Sequence, residues 1–226
     1  MTKIIFDCFG TLIDTGTTSV NAAGIILNNT GSGLDKNEFY SEWKALKKEM
    51  MQTCPFHSEK EFFALSLEKM FERYKINADA KAEVRPMTDV LFGKRNAFPD
   101  TYEILAYLDR AGIEYAIGST TDNDSLMHYL EQNHLSFRYI FTSEDMRVYK
   151  PSPAFYTTIL ERTGWLTSEC LFVGDSLTDD VEGPQSVGMK AALIDRKRKY
   201  KSFTSVRPDH LIHSLTELSE IIQSGI

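Results

Sequence analysis

The chain offers little sulfur chemistry. Its 226 residues include three cysteines, Cys8, Cys54 and Cys170, an odd number at distant positions that matches no zinc-binding spacing. Reduced thiols are therefore expected. No window approaches the ~20 apolar residues needed to span a bilayer, and Met1-Thr2-Lys3 leads straight into a short apolar stretch rather than a signal peptide. A cytoplasmic protein with no membrane partner is the expectation. Basic residues are also scarce: 25 Lys and Arg face 32 Asp and Glu, a formal net charge of -7. That balance argues against a general nucleic-acid binder, whose affinity rests on clustered cations. The single basic run, Arg196-Lys197-Arg198-Lys199 with Lys201, reads as a solvated loop. Internal repeats and low-complexity segments are missing too.

What the chain does have is apolar material: 42% hydrophobic residues can bury one large domain or a core with an insertion. Short apolar runs at residues 4–7, 115–118, 139–141, 171–173 and 191–194 read as strands. Helical spacing fills residues 101–111, 124–133, 153–162 and 179–187 between them. Such alternation predicts an α/β fold, a Rossmann-like parallel sheet with helices on both faces and ligands beyond the carboxyl ends of the strands.

One section breaks the alternation. From about residue 15 to 98 no strand is evident, and residues 35–52 and 58–74 carry helical apolar spacings such as Phe39, Trp43, Leu46, Met50 and Phe62, Phe63, Leu67, Met70. We therefore expect an α/β core from residues 1–14 and 99–226 and an all-helical insertion over 15–98. Linkers near 15–18 and 96–100 would let it move.

Four short stretches fall at strand ends. They are Asp7 to Thr11 in FDCFGT, Ser119-Thr120 after YAIG, Lys150-Pro151 in VYKPSP, and Gly174-Asp175-Ser176 through Asp180 in LFVGDSLTDD. In order and type they resemble the four signature motifs of the haloacid dehalogenase-like hydrolase superfamily. The helical section resembles that superfamily's mobile cap, and the likeness runs over roughly residues 4–218.

The resemblance implies a role for each residue. Asp7 would be the nucleophile, forming an aspartyl ester that water hydrolyses, so that one hard displacement becomes two easier ones. Ser119, Thr11 and the turn at Gly10 would hold oxygens of the transferred group, with Thr120 beside them where many relatives carry Asn. Lys150 would keep Asp7 ionised and offset the crowding of anions, and Asp180 would orient that lysine or a metal-bound water. Asp7, Asp175 and the backbone carbonyl of Phe9 would hold Mg²⁺, the expected cofactor. The expected partner is a small-molecule substrate, a phosphate ester or a haloacid; a monomer and a homodimer are both open.

Phe9 and the last motif pull apart. Phosphatases of the superfamily carry Asp two residues after the nucleophile, where it protonates the leaving alcohol. Haloacid dehalogenases carry an aromatic or apolar residue there, as this chain does. Gly174-Asp175, however, is what a metal-dependent phosphoryl-transfer site keeps. Dehalogenases also place a Trp-Arg pair in the cap, and here Trp43 is followed by Lys44, whose point charge does not reproduce a guanidinium fork. Lys44 is accordingly a candidate substrate contact and Trp43 a residue of the cap interior. Three readings are carried forward: a Mg²⁺-dependent phosphatase, a 2-haloacid dehalogenase, and a binding or regulatory protein of low turnover.

Overall fold

The computed structural model describes residues 2–225. Its centre is a strand too short to be stable by itself. β1 (Lys3–Phe6) buries Ile4, Ile5 and Phe6 completely, because helices cover both of its faces. Ile4 and Phe6 join one apolar cluster and Ile5 another. β2 (Tyr115–Ser119), β3 (Tyr139–Thr142), β4 (Cys170–Gly174), β5 (Lys190–Ile194) and β6 (His210–Ile212) complete a six-stranded sheet in the order β3-β2-β1-β4-β5-β6, with every pair parallel. The chain order reverses about β1, which makes the carboxyl end of β1 the natural crevice for a ligand.

The segment between β1 and the next core element is helical. α1 (Thr18–Asn29), α2 (Lys36–Thr53) and α3 (Glu59–Tyr74) are followed by short turns at Ala80–Glu83 and Arg85–Asp89. Asp35 starts α2 by accepting from the amides of Asn37 and Glu38, and Ser58 starts α3 through a capping box with Glu61. Ile26, Phe39, Trp43, Leu67, Met70 and Met87 form an apolar cluster of their own. Trp43 lies inside it, its indole N–H donating to Ser66 Oγ at 2.7 Å.

The chain leaves and re-enters the core at one place. Ile13 pairs antiparallel with Ala97, the Asp14 amide donates to the Asn96 carbonyl at 3.0 Å, and the Phe98 amide donates to the Leu12 carbonyl at 2.9 Å. α4 (Pro99–Ala111), α5 (Asn123–Gln132) and α6 (Pro153–Thr163) then build the two faces of the sheet, and α7 (Leu218–Ser224) closes the described chain. Ile104, Leu108 and Leu126 pack with Ile4 and Phe6, while Phe155 and Ile159 pack with Ile5.

Two departures from the sequence reading concern the carboxyl-terminal third. Residues 179–187 are not one helix: a wide π-type turn, Leu177–Glu182, gives way to a separate turn, Gly183–Ser186. Pro184 has no N–H to continue a regular ladder. The sixth strand carries only three residues, one of them the exposed Leu211, too little pattern to show in sequence. α1 agrees with the all-helical insertion expected over 15–98, although no single helix is assigned there from sequence and its first residue, Thr18, overlaps the 15–18 linker.

Candidate active site

Three neighbouring strands deliver the site. Asp7 follows β1, Ser119 ends β2 and Asp175 follows β4, so all three stand at the carboxyl edge of the strands β2, β1 and β4. The Asp7 amide donates to the Val173 carbonyl at 2.8 Å, which ties the start of the first motif to β4. Lys150 enters from the loop before α6. Its Nζ donates to Asp7 Oδ1 at 2.7 Å and to Asp180 Oδ1 at 2.8 Å, and its side chain is 1% exposed. The amide of Ser176 donates to the other Asp180 oxygen at 2.9 Å.

Close packing explains the glycines. A Cβ on Gly174 would lie 2.2 Å from the carboxyl carbon of Asp180, so only glycine lets that carboxylate fold back toward Lys150. Gly10 has φ +94°, and a Cβ there would meet Asp175 Oδ2 at 2.7 Å. The turn after Phe9 therefore lies directly against the Asp175 carboxylate.

Asp7, Asp175 and Asp180 each bring a carboxylate oxygen within 4.8 Å of the others. Such crowding is costly. Burial pushes the Asp7 carboxyl up, to about 7, with Lys150 opposing and Asp180 and Asp175 reinforcing the rise. Burial and Asp180 also raise Asp175, against the charges of Lys199, Lys44 and Lys150. Lys150 is held above its usual range by Asp180 and Asp7, which outweigh its own burial, and stays cationic. Within the cluster Lys150 pairs directly with Asp7 and Asp180, and Asp175 has no ion pair of its own among the described residues. An all-oxygen set of three crowded carboxylates has the chemistry of a site for a hard divalent cation.

Beside the charges sit hydroxyls. Ser119 and Thr11 are buried, and the Oγ1 atoms of Thr11 and Thr120 are enclosed without a hydrogen-bond partner. An enclosed hydroxyl lacking a partner costs free energy, on the order of 1–3 kcal/mol. Oxygen acceptors of a bound substrate would relieve it.

Phe9 turns toward the core. Its ring meets Tyr129 edge-on at a centroid distance of 5.5 Å, and the Arg95 guanidinium carbon lies 5.4 Å from the Phe9 ring and 5.2 Å from the Tyr129 ring. Lys44 is exposed on α2, yet its charge reaches Asp175.

Several residues around the site escaped the sequence reading. Arg196 is not a freely solvated member of the basic run: it pairs with Asp100 and donates to the Thr11 carbonyl at 2.8 Å. Asp179 accepts from Lys48 of α2 at 2.8 Å. Asp122 accepts from the first amides of α3, and the Tyr149 hydroxyl donates to the His57 carbonyl at 2.9 Å. The Asp and Arg types were visible in sequence, but partners dozens of residues away were not.

Residues 4–194 match the family model described as haloacid dehalogenase-like hydrolase. The chain is similar to (S)-2-haloacid dehalogenase 1 of Pseudomonas sp. (strain CBS-3), 24% identical over 222 residues that cover 96% of this chain and 95% of that one. It is also similar to the glyceraldehyde 3-phosphate phosphatase of Pyrococcus furiosus, 26% identical over 227 residues, 97% of this chain and 91% of the other. In fold it resembles the HAD-hydrolase YfnB of Bacillus subtilis bound to magnesium, with a TM-score of 0.80 at 20% identity over 98% of each chain.

Proposed function

The chain belongs to the haloacid dehalogenase-like hydrolases, and from that premise we propose that it is a Mg²⁺-dependent phosphatase of a small phosphorylated metabolite. The observation that carries this reading is the convergence of three carboxylates, those of Asp7, Asp175 and Asp180, whose oxygens lie within 4.8 Å of one another while Lys150 bonds only two of them. A 2-haloacid would bring a further carboxylate to a place where three already crowd. A phosphate ester arriving with a divalent cation meets the opposite condition. Both substrate classes occur among the relatives, so the distinction rests on this chain's own residues.

In this reading an Asp7 oxygen attacks phosphorus, the bond from phosphorus to the leaving oxygen breaks, and an aspartyl phosphate forms. Water then attacks phosphorus, the Asp7 carboxylate departs, and inorganic phosphate is released. Lys150 favours the ionised form of Asp7 against its burial, and Asp180 holds Lys150. The Ser119, Thr11 and Thr120 hydroxyls, with the amides of the turn at Gly10, bind the transferred oxygens. Bound Mg²⁺, held by Asp7, Asp175 and the Phe9 carbonyl, would supply charge neutralisation and polarise the phosphoryl group. The helical insertion acts as a cap, with Lys44 facing the substrate side and the shielded site excluding water while the ester forms.

Phe9 favours the second reading, a 2-haloacid dehalogenase with an aspartyl ester intermediate. A benzyl group cannot protonate an alcohol, and halide needs no proton. Within the phosphatase reading the same fact selects the substrate: the leaving group must depart unaided, so acyl and aryl phosphates should outrun alkyl phosphates by ~10²–10⁴-fold. The test is release of phosphate and of halide from a panel of phosphorylated metabolites and short-chain haloacids, with Mg²⁺ and in excess chelator. Phosphate release that chelation abolishes is the expected result. Halide release undiminished in chelator would replace the phosphatase with the dehalogenase.

A further inference from the structure

The side chain of Asp122 is used in an unusual way. It stands at the N-cap position of α5, where an aspartate ordinarily accepts from its own helix, yet it makes no such bond. The first amide of α5, that of Asn123, is instead satisfied by Glu144 at 2.7 Å. Both carboxylate oxygens of Asp122 point across to the helical insertion: Oδ1 accepts from the Glu59 amide at 2.7 Å and Oδ2 from the Lys60 amide at 3.2 Å. These are the first two amides of α3, a sixteen-residue helix whose third amide, that of Glu61, is taken by its own Ser58. The core thus supplies the acceptors that this helix lacks at its positive end.

Asp122 is 1% exposed. Burial pushes its carboxyl up to about 6, with the Glu59 amide opposing. A turn with only a structural task would be served at less cost by a neutral residue. The contact also sits next to the site, two residues beyond Thr120. Two further bridges to the same stretch of the insertion share that placement: Tyr149, which donates to His57, precedes Lys150, and Asp179, which accepts from Lys48, precedes Asp180.

We propose that Asp122 is the latch of the closed cap, a positioning residue that binds the amino end of α3 and so fixes the insertion over Asp7. Opening would return the Glu59 and Lys60 amides and both Asp122 oxygens to water. Closing exchanges that water for two charge-assisted hydrogen bonds. The latch does not depend on which leaving group the site accepts.

The test removes the latch from each side. Ser58 already holds φ -64° and ψ 163°, the extended conformation a following proline requires, and residue 59 is the first of the helix, where proline is favoured. Glu59→Pro therefore deletes the shorter of the two donor contacts, that of the Glu59 amide, while keeping the helix. Glu59→Ala is its control, because it removes only the side-chain contacts to Lys47 and Thr121. Asp122→Asn removes the charge from the core side.

Fluorescence energy transfer between labels at Ile25→Cys and Leu166→Cys, both exposed positions, in a chain carrying Cys54→Ser, reports the cap-to-core distance. Glu59→Pro and Asp122→Asn should each lower the closed-to-open ratio roughly tenfold, as expected for loss of a hydrogen bond to a charged group. Combining them should add little to either one. Distances unchanged in Glu59→Pro, equal opening in Glu59→Ala, or full additivity in the double variant would each overturn the latch. Should Asp122→Asn fail to fold, the comparison of Glu59→Pro with Glu59→Ala decides alone.

Discussion

The charges of the core and those at the rim of the insertion are arranged on different principles. In the core, Lys150, Asp7 and Asp180 have side chains 1%, 10% and 2% exposed, and one lysine bridges two acids. At the rim, Lys48 and Asp179 are 41% and 24% exposed, and Lys60 and Asp124 are 35% and 58%. Removing one partner of a buried pair typically costs ~3–5 kcal/mol, because the other charge is stranded. An exposed pair contributes about 0–1 kcal/mol and weakens with salt. Core charges hold a geometry; rim charges can let go. A site that must open to admit substrate and still present fixed reacting groups needs both kinds.

The sharpest way to probe that contrast is at its centre. Asp7→Asn keeps the shape of the side chain and removes its nucleophilicity, so turnover should fall by orders of magnitude while thermal unfolding shows an intact fold. Retention of more than a tenth of the activity in single-turnover assays would take the nucleophile's role from Asp7.

Next comes Lys150→Met, which strands Asp7 and Asp180 together. Urea unfolding should register a loss of ~3–5 kcal/mol, and Asp180→Asn added to it should restore part of that loss. Losses that simply add would mean the three groups are not one network.

Asp100 is the intermediate case. Burial pushes its carboxyl up, but Arg196, the Leu215 amide and Ser214 outweigh it, and the group is held below the usual carboxylate range. Its stabilisation is therefore present above the ordinary Asp value, about 3.9, and is lost as pH falls through the depressed one. Asp100→Asn should lower stability at neutral pH and flatten the decline below about pH 4. Equal acid-unfolding profiles would show that the pair holds nothing.

Smallest is Lys48→Ala, which should change unfolding free energy by less than ~1 kcal/mol. Hydrogen exchange of the 54–60 amides should nevertheless quicken, and that difference should shrink in high salt. No change in exchange would make the rim contact incidental.

The core was legible in sequence because parallel strands buried on both faces read as unbroken apolar runs, of which Ile4-Ile5-Phe6 is the plainest. Asp7, Lys150, Asp175 and Asp180, read as motifs at strand ends, lie together in the structure, and Ser119 ends the strand next to β1. Long-range choices were not legible. Asp122 belongs to none of the motifs read in the sequence, and nothing local says that its carboxylate serves a helix more than sixty residues earlier. Arg196 reads as one of a cationic run until Asp100 and the Thr11 carbonyl are beside it. Phe9 was read from its type as a missing acid; its seat against Tyr129 and Arg95 adds that a carboxylate placed there would face a guanidinium.

The junction where the chain departs and returns has a mechanical consequence. Ile13 and Ala97 are paired, with Asp14 bonded to Asn96 on one side and Phe98 to Leu12 on the other. One bridge with a hydrogen bond on either side ties the two crossings into a short ribbon, so any movement of the insertion would pivot about one narrow place and not about two separate tethers. The same adjacency makes the ribbon a splice point: a short turn from Asp14 to Asn96 would bypass residues 15–95 without asking the core strands to move, and would convert an enclosed reaction vessel into an open bench.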